Sequence, residues 1–553
     1  MRKLLLTLCL MLTATGLSAA DGKPSAAQFD FFEYTGNDDY YNNNPLPDDQ
    51  SFYNPIVPGW FSDPSICRVG DDYFMVMSTF TYFPGVPLFH SKDLVNWKQI
   101  GNVLSRESQL LPMKRQKIND GGIYAPAISY NPHNKTFYMV TTNVGSHNFY
   151  VTTKDPFGEW SEPVLLPNIK GIDPSFFFDD DGQAYIIHKE DVTGKPKWCN
   201  HRAIRISRFN PETGETFGED MPFSELGVGP EERLDRDEGP HIYKINGYYY
   251  IMCAEGGTSW AHSAVIYRSE NVLGPYTRWS RNPMLTQRLL KTTRSNAVTC
   301  TGHADLIDTP DGEWWAVFLG CRPINGEFEN LGRETFMMPV RWSKDGFPYM
   351  TQSKDTIPMM LSRKGVKRQA ETTFGNFTWR DDFNAKKLRP EWLSLRGSAE
   401  RYYKLNKGLK LTCSDVTAKQ MDTPAYIGRR MQHHKFTATT ALTFSAKEGE
   451  AAGMLLMKNE GRHYFMAVRQ HDIALLKANK GKDEVLASHE MSTTGKKIYL
   501  KAVSSGITYD FLYSTDGSNW HTLAKDIDAS YLSSRRGGGF TGSTIGMYAV
   551  KEK

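Results

Sequence analysis

Apolar and polar residues alternate along most of this chain in short runs broken by Gly, Pro, Asn and Asp, and helical periodicity is nearly absent. Five stretches share one pattern: FSDPSICRVGDDYFMV (61–76), APAISYNPHNKTFYMV (125–140), GIDPSFFFDDDGQAYII (171–187), EGPHIYKINGYYYIM (238–252) and GHADLIDTPDGEWWAVF (302–318). Each opens on a polar or Pro-marked start, runs through alternating apolar residues, turns at an Asp, Asn or Gly step and returns as an aromatic strand. That pattern predicts a hairpin. Three later stretches, HSKDLVNWKQIG (90–101), TTKDPFGEWSEP (152–163) and RSENVLGPYTRW (268–279), suit an outer hairpin capped by an aromatic. Five four-stranded units predict an all-β fold, with a five-bladed β-propeller over 53–362.

After residue 350 the pattern changes. RKGVKRQAE (363–371) is basic and poorly apolar, and reads as a solvated linker. Segments such as LKLTC, FTATTALTF, AAGMLLMK, HYFMAVRQ and ITYDFLY then alternate between turns, predicting a β-sandwich over 372–553. Residues 1–20, with two early basic residues, an apolar run from Leu4 to Leu12 and small residues at Ser18–Ala20, form a signal-peptide pattern. Cys9 lies inside that run, which argues against a lipid anchor; the mature chain is expected in the periplasm or outside the cell. Residues 21–52, rich in Asn and Asp, read as a polar leader extended over the first domain.

Charge narrows the partners. With 65 basic against 62 acidic residues the net charge is only +3, so there is no electrostatic footprint for nucleic acid. No segment after the signal is long enough to span a bilayer, so no membrane partner is expected. A neutral ligand fits better, and the 12% aromatic content supplies Tyr, Trp and Phe for a sugar-binding surface. Six cysteines follow Cys9, far apart and without a C-x-x-C pair, so no zinc site is expected and buried free thiols are preferred.

If the five strand starts are equivalent, Asp63, Asp173 and Glu238 converge on one pocket from three different units, with His303 from a fourth. Desolvated carboxyls that repel one another leave one protonated and another ionised, as hydrolysis of a glycosidic bond requires. Asp-Pro is also a common turn opener and Glu-Gly-Pro a plain loop, but a turn has no need for three acids facing one axis. Trp60, Phe61, Phe80, Tyr82, Phe83 and Tyr124 supply walls for a sugar ring or packing between blades. Arg333 in LGRETF binds sugar hydroxyls or forms an ordinary ion pair.

At these residues the chain resembles glycoside hydrolase family 43, in its two-domain β-xylosidase and α-L-arabinofuranosidase branch. The resemblance rests on NPIVPGWFSDPSICRVGDDYF, STFTYFPGVPLFHSKDLVNW, GGIYAPAISY, DPSFFFDDDG, DEGPHIYK, AEGGTSWAHS, GHADLIDTPDG and LGRETF, then on DDFN, IGRRMQHHKF and RRGGGFTG. It implies an inverting exo-glycosidase releasing terminal L-arabinofuranose or D-xylose from hemicellulose fragments. Asp63 would be the general base, Glu238 the general acid and Asp173 the residue that raises and orients that acid. Arg333 would contact the terminal sugar, Phe80 and Tyr124 would line it, and Phe540 would reach over the pocket mouth. No cofactor is required, although some relatives hold calcium on the axis near His303. Tyr124 stands where many β-xylosidases of the branch carry Trp. Two other classes remain to be separated: a non-catalytic carbohydrate-binding propeller, and a retaining fructan-cleaving propeller, whose Asp-Pro-Asn-Gly stretch is absent here. Oligomeric state is not legible in the sequence.

Overall fold

The computed structural model describes residues 23–110, 113, 115–192, 195, 202–222, 236–352, 354–479 and 481–552, and within them the chain is all-β. The signal pattern at 1–20 and Cys199 lie outside the described residues. Five antiparallel sheets follow one another, led by Ser65–Val69, Gly122–Asn131, Ile172–Phe178, Glu238–Ile245 and Thr299–Asp308. Each leading strand pairs with the next strand in sequence, as the hairpin pattern predicts. The leading strands touch one another in order, and that of the fifth sheet touches that of the first. Side chains bridge them: Ser65 Oγ donates to Asp305 Oδ2 at 2.8 Å and accepts from Ile128 N at 3.1 Å, while Ser175 Oγ donates to Pro240 O at 2.6 Å. The stretch before the first sheet lies along the fifth. Val57 exchanges two backbone hydrogen bonds with Thr335, and the Asn54 amide meets both backbone groups of Met337.

One backbone feature recurs just ahead of these strands or at their beginnings. Asp63, Ala125, Asp173, Gly239 and His303 hold φ of 55°, 26°, 55°, 56° and 44°, a left-handed conformation uncommon for residues with a Cβ. Each is followed by Pro or Ala, and in the second to fifth sheets a break in register falls beside it, which re-aims the local side chains. This corrects the expected equivalence in the fourth sheet, where the matching place is Gly239 and not Glu238. The reason is steric: a Cβ at Gly239 would lie 2.7 Å from the His303 ring. The acid therefore occupies the preceding position, which corresponds to Tyr124 in the second sheet.

Two further sheets form the C-terminal part. Strands from both, including Lys435–Thr443 and Lys497–Ser505 of one and Glu450–Asn459 and Thr544–Lys551 of the other, contribute to a single buried core that contains Leu442, Leu500, Leu456 and Ile545. Residues 26–36 of the leader are part of this sandwich, which corrects the expectation there, whereas Tyr41 and Phe52 pack in the core of the first domain. Ala26–Gly36 is an inner strand, paired with Lys435–Thr443 on one side and with Leu409–Thr412 and Thr378–Asp381 on the other. Its alternation, AAQFDFFEYTG, buries Ala27, Phe29, Phe32 and Tyr34, and a bulge between Phe29 and Phe31 keeps both halves facing inward.

The basic run at 363–371 is likewise held rather than solvated along its length. Arg368 Nη1 donates to the carbonyls of Asp48 at 2.7 Å and Ser51 at 3.0 Å, Arg363 N donates to Gln50 O, and Val366 is buried. Among the described residues, Cys67, Cys253, Cys300, Cys321 and Cys413 are buried and free, and no helix is long and apolar enough to cross a membrane.

Because Phe32 is fully buried on the borrowed strand, Phe32→Ala is expected to cost about 3–5 kcal/mol. Denaturant unfolding followed by Trp fluorescence checks this; a loss under about 1 kcal/mol, the level of a surface change, would contradict the strand's place in the core.

Candidate active site

Asp63 is buried and held at both oxygens. Arg333 Nη1 lies 3.1 Å from Oδ1, Arg333 Nη2 reaches Oδ2 at 3.5 Å, and Ser78 Oγ donates to Oδ2 at 2.6 Å. Ser78 accepts in turn from Ala125 N at 2.7 Å, tying the start of the second sheet to the acid of the first. His303 Nδ1 stands 3.7 Å from Oδ1. Burial alone would raise the Asp63 pKa, but the Arg333 charge and the Ser78 hydrogen bond outweigh it and hold the carboxyl below its ordinary value. Asp63 is therefore ionised at neutral pH.

Asp173 and Glu238 have the opposite character. Asp173 is buried, and its Oδ2 accepts from Gly239 N at 3.1 Å, which sets it beside the residue next to Glu238. Burial, then the charges of Glu238 and Asp63, push Asp173 well above the ordinary carboxylate value. Burial also raises Glu238, against the pull of Lys189 and Arg333. Two desolvated carboxyls that repel each other retain a proton between them. Three desolvated, mutually interacting carboxyls thus divide into one held low and two pushed up, a division that acid–base hydrolysis can use.

The two histidines near Asp63 are neutral. Burial lowers His303 to about 4 and His262 to about 3. Nδ1 of His262 donates to the Cys300 carbonyl at 2.9 Å, which fixes the tautomer and leaves Nε2 as a bare acceptor. Its ring packs where a Cβ at Gly302 would be 2.6 Å away, so glycine is required there. His262 lies inside AEGGTSWAHS and Ser78 inside STFTYFPG, yet neither stands out in the sequence. Only the fold brings them to the acid.

Phe80, Tyr124, Arg333 and Phe540 come together. The rings of Phe80 and Phe540 stack at 6.2 Å, Tyr124 meets Phe540 edge-on at 5.8 Å, and the Arg333 guanidinium lies 5.2 Å from the Phe540 ring. Phe80 is almost fully buried and supports the others from below, whereas Tyr124 and Phe540 are only partly covered. Trp60 and Phe61 are buried packing residues, clamped by Arg430 of the sandwich at 4.1 Å from each ring. Phe540 also comes from the sandwich. Its N–H bonds to Asn119 O, and its loop is fastened by the buried Lys458 ammonium to Ser534 Oγ and Thr541 O. Beside Arg333 and Phe540 opens a cavity of about 780 Å³ that also borders Trp260, Cys300 and Glu327.

The residues about His303 do not fit a calcium ion, which takes six to eight oxygens. Both oxygens of Asp63 are engaged as described, and those of Asp305 are engaged by Tyr243, Ser65 and Ile66 N. Arg333 adds positive charge there.

Both parts of the chain match known families. The family model for glycosyl hydrolases family 43 matches residues 52–348, and that for the beta xylosidase C-terminal Concanavalin A-like domain matches residues 380–553. The chain is 37% identical over 518 residues to the non-reducing end alpha-L-arabinofuranosidase BoGH43B of Bacteroides ovatus, covering 90% of this chain and 91% of that one. It is 37% identical to a xylosidase/arabinosidase of Butyrivibrio fibrisolvens, covering 90% and 95%. Among solved structures, a GH43_12 retrieved from a capybara gut metagenome superposes with a TM-score of 0.88 at 40% identity, over 95% of this chain and 100% of that one. With family models matching both parts of the chain and relatives 37% identical over nine-tenths of it, this protein belongs to glycosyl hydrolases family 43 and is a glycoside hydrolase.

Proposed function

We propose that the chain is an exo-acting, inverting glycosidase that releases terminal L-arabinofuranose or D-xylose from hemicellulose-derived oligosaccharides. Asp63 acts as general base and Glu238 as general acid, and Asp173 keeps the acid protonated and oriented. What supports this reading is three desolvated acids from three sheets that feel one another's charge, Asp63 paired with Arg333 and held low, Asp173 bonded to Gly239 N, and Glu238 raised by burial. Asp63 takes a proton from water, whose oxygen attacks the anomeric carbon on the face opposite the leaving group. Glu238 gives its proton to the departing glycosidic oxygen, so the C–O bond breaks with inversion. Room for that water requires the two carboxyls to stand roughly 6.5–9.5 Å apart. Arg333 holds the base ionised and meets the terminal sugar, with Tyr124 and Phe540 as its apolar walls. No step is routed through a metal.

Five successive sheets, leading strands in contact around a ring, and the 54–57 segment lying along the fifth sheet support a closed five-bladed propeller with the acids at its mouth. Phe540, reaching in from the sandwich, supports removal of single end sugars over internal cutting. The sugar choice draws on relatives named for arabinofuranosidase and xylosidase activity. The 1–20 pattern supports export.

Proton NMR of the anomer first released, from nitrophenyl α-L-arabinofuranoside and nitrophenyl β-D-xyloside, tests the chemistry; release of the retained anomer overturns inversion and favours a covalent intermediate. Asp63→Asn and Glu238→Gln are each expected to lower kcat about 10²–10⁴-fold, Asp63→Asn also lowering the melting temperature because it leaves the buried Arg333 unpaired; full activity in either removes that residue from its role.

The pH dependence follows from the same shifts. The base must be ionised, so kcat/KM falls as pH drops through the lowered pKa of Asp63. The acid must be protonated, so it falls again as pH rises through the raised pKa of Glu238. Ser78→Ala removes a donor to Asp63 and is expected to move the acid limb to higher pH, leaving the alkaline limb in place. It also leaves the Ala125 N–H unpaired, at about 1–3 kcal/mol of stability. An unmoved acid limb would separate Asp63 from the base role.

A further inference from the structure

The absence of a C-x-x-C pair gives no reason to expect a metal site, yet the fold assembles one candidate from residues far apart in sequence. Cys300 lies on Thr299–Asp308, in the irregular stretch between the pairs Thr299↔Cys321 and Gly302↔Leu319, with φ of 56°. Cys321 ends the neighbouring strand Trp314–Cys321. Glu329, from the connection that follows, brings Oε1 to 3.8 Å from Cys300 Sγ. The two sulfurs and a carboxylate oxygen all lie within 4.8 Å of one another, the one such grouping of His, Cys, Asp and Glu ligand atoms among the described residues. A tetrahedral zinc ion with Zn–S near 2.3 Å and Zn–O near 2.1 Å spaces its ligands about 3.6–3.8 Å apart. Closing the trio therefore needs side-chain movements of at most about 1 Å.

We propose that Cys300, Cys321 and Glu329 form a binding site for a thiophilic divalent cation of the zinc class, with its fourth position open to the cavity beside Arg333. All three residues line that cavity together with Arg333 and Phe540, so water or a ligand from the cavity completes the tetrahedron. Two thiolates and a carboxylate suit a soft d¹⁰ ion and exclude calcium and magnesium, which take oxygen ligands. Charge is balanced. The cation displaces two thiol protons, so the net charge facing Arg333 and Lys458 does not change. A filled site narrows the cavity next to the residues assigned to the terminal sugar, and the cation acts as an inhibitor. That consequence alone rests on the proposed function; metal binding does not.

The full chain, freed of metal with chelator under reducing conditions, is mixed with Zn²⁺, desalted and analysed for metal. Co²⁺ is added in parallel to read thiolate ligation from its near-ultraviolet charge-transfer band. The expected result is one zinc per chain and a cobalt–thiolate band. Both are lost in the Cys300→Ser, Cys321→Ser double variant, weakened at least tenfold in Glu329→Gln, and kept in Cys413→Ser. Glu329→Gln decides the matter if the double variant fails to fold. Absence of retained metal, retention unaffected by the double variant or by Glu329→Gln, or a thiol count showing Cys300 and Cys321 already joined as a disulfide would each overturn the site. In the activity arm, zinc raises KM several-fold in the parent chain but not in Cys321→Ser; zinc bound without that rise overturns the inhibitory role and leaves the site.

Discussion

The buried ion pair between Asp63 and Arg333 organises the site around it. Removing two charges from water is expensive, and their attraction compensates only when geometry is good and the remaining lone pairs are satisfied. On the carboxylate side both conditions are met: the guanidinium reaches both oxygens and Ser78 supplies a further donor. The neighbours of both partners are held as firmly. Glu334, next to Arg333, is bound by both Nε and Nη2 of Arg322 and accepts from Gly59 N. Arg430 of the sandwich donates to the Trp60 carbonyl, three residues before Asp63. Asp63, the proposed base, is fixed in position and charge by contacts from both halves of the molecule.

That fixed negative charge shapes the rest. Asp63 is one of the charges that push Asp173 upward, after burial and Glu238. An ionised Asp63 therefore helps keep the opposite carboxyls protonated, and a single ion pair supplies one half of the acid–base division while favouring the other. His262 and His303, both neutral, pack beside these groups without adding a competing positive charge. They fit because Gly302 and Gly239 present no Cβ to their rings. The glycines are as much a condition of the site as the acids.

Much of this was legible in the sequence because period-two alternation and Asp-, Asn- or Gly-marked turns survive in every hairpin, and Asp-Pro-Ser is written twice. What escaped was position at the scale of one residue. Glu238 reads as the equivalent of Asp63, but the left-handed place belongs to Gly239, and only the packing of His303 reveals it. The leader escaped for another reason. Its Asn- and Asp-rich half masks AAQFDFFEYTG, a strand pattern whose partners lie some four hundred residues later. Ser78 and His262 carry no spacing signal, since their roles come from bonds made across sheets. Cys300, Cys321 and Glu329 likewise meet only through a bulged strand pair and the loop after it.

The sandwich is a wall of the site as well as an attached module. Its borrowed N-terminal strand means that the chain leaves the sandwich, builds all five sheets and returns, so the first-domain segment is tethered at both ends. The return visit places Phe540 against Phe80, Tyr124 and Arg333. Holding that ring requires a rigid loop, and Lys458 provides it by placing a buried ammonium, its pKa lowered to about 7 by desolvation, against Ser534 and Thr541. Asn459, the next residue, bonds Gly537 O and Asn119 Oδ1, so adjacent side chains of one strand grip both sides of the seam. The proposed exo action depends on that grip, because an aromatic that closes the mouth can select a chain end only if it stays where the ion pair's guanidinium can meet it.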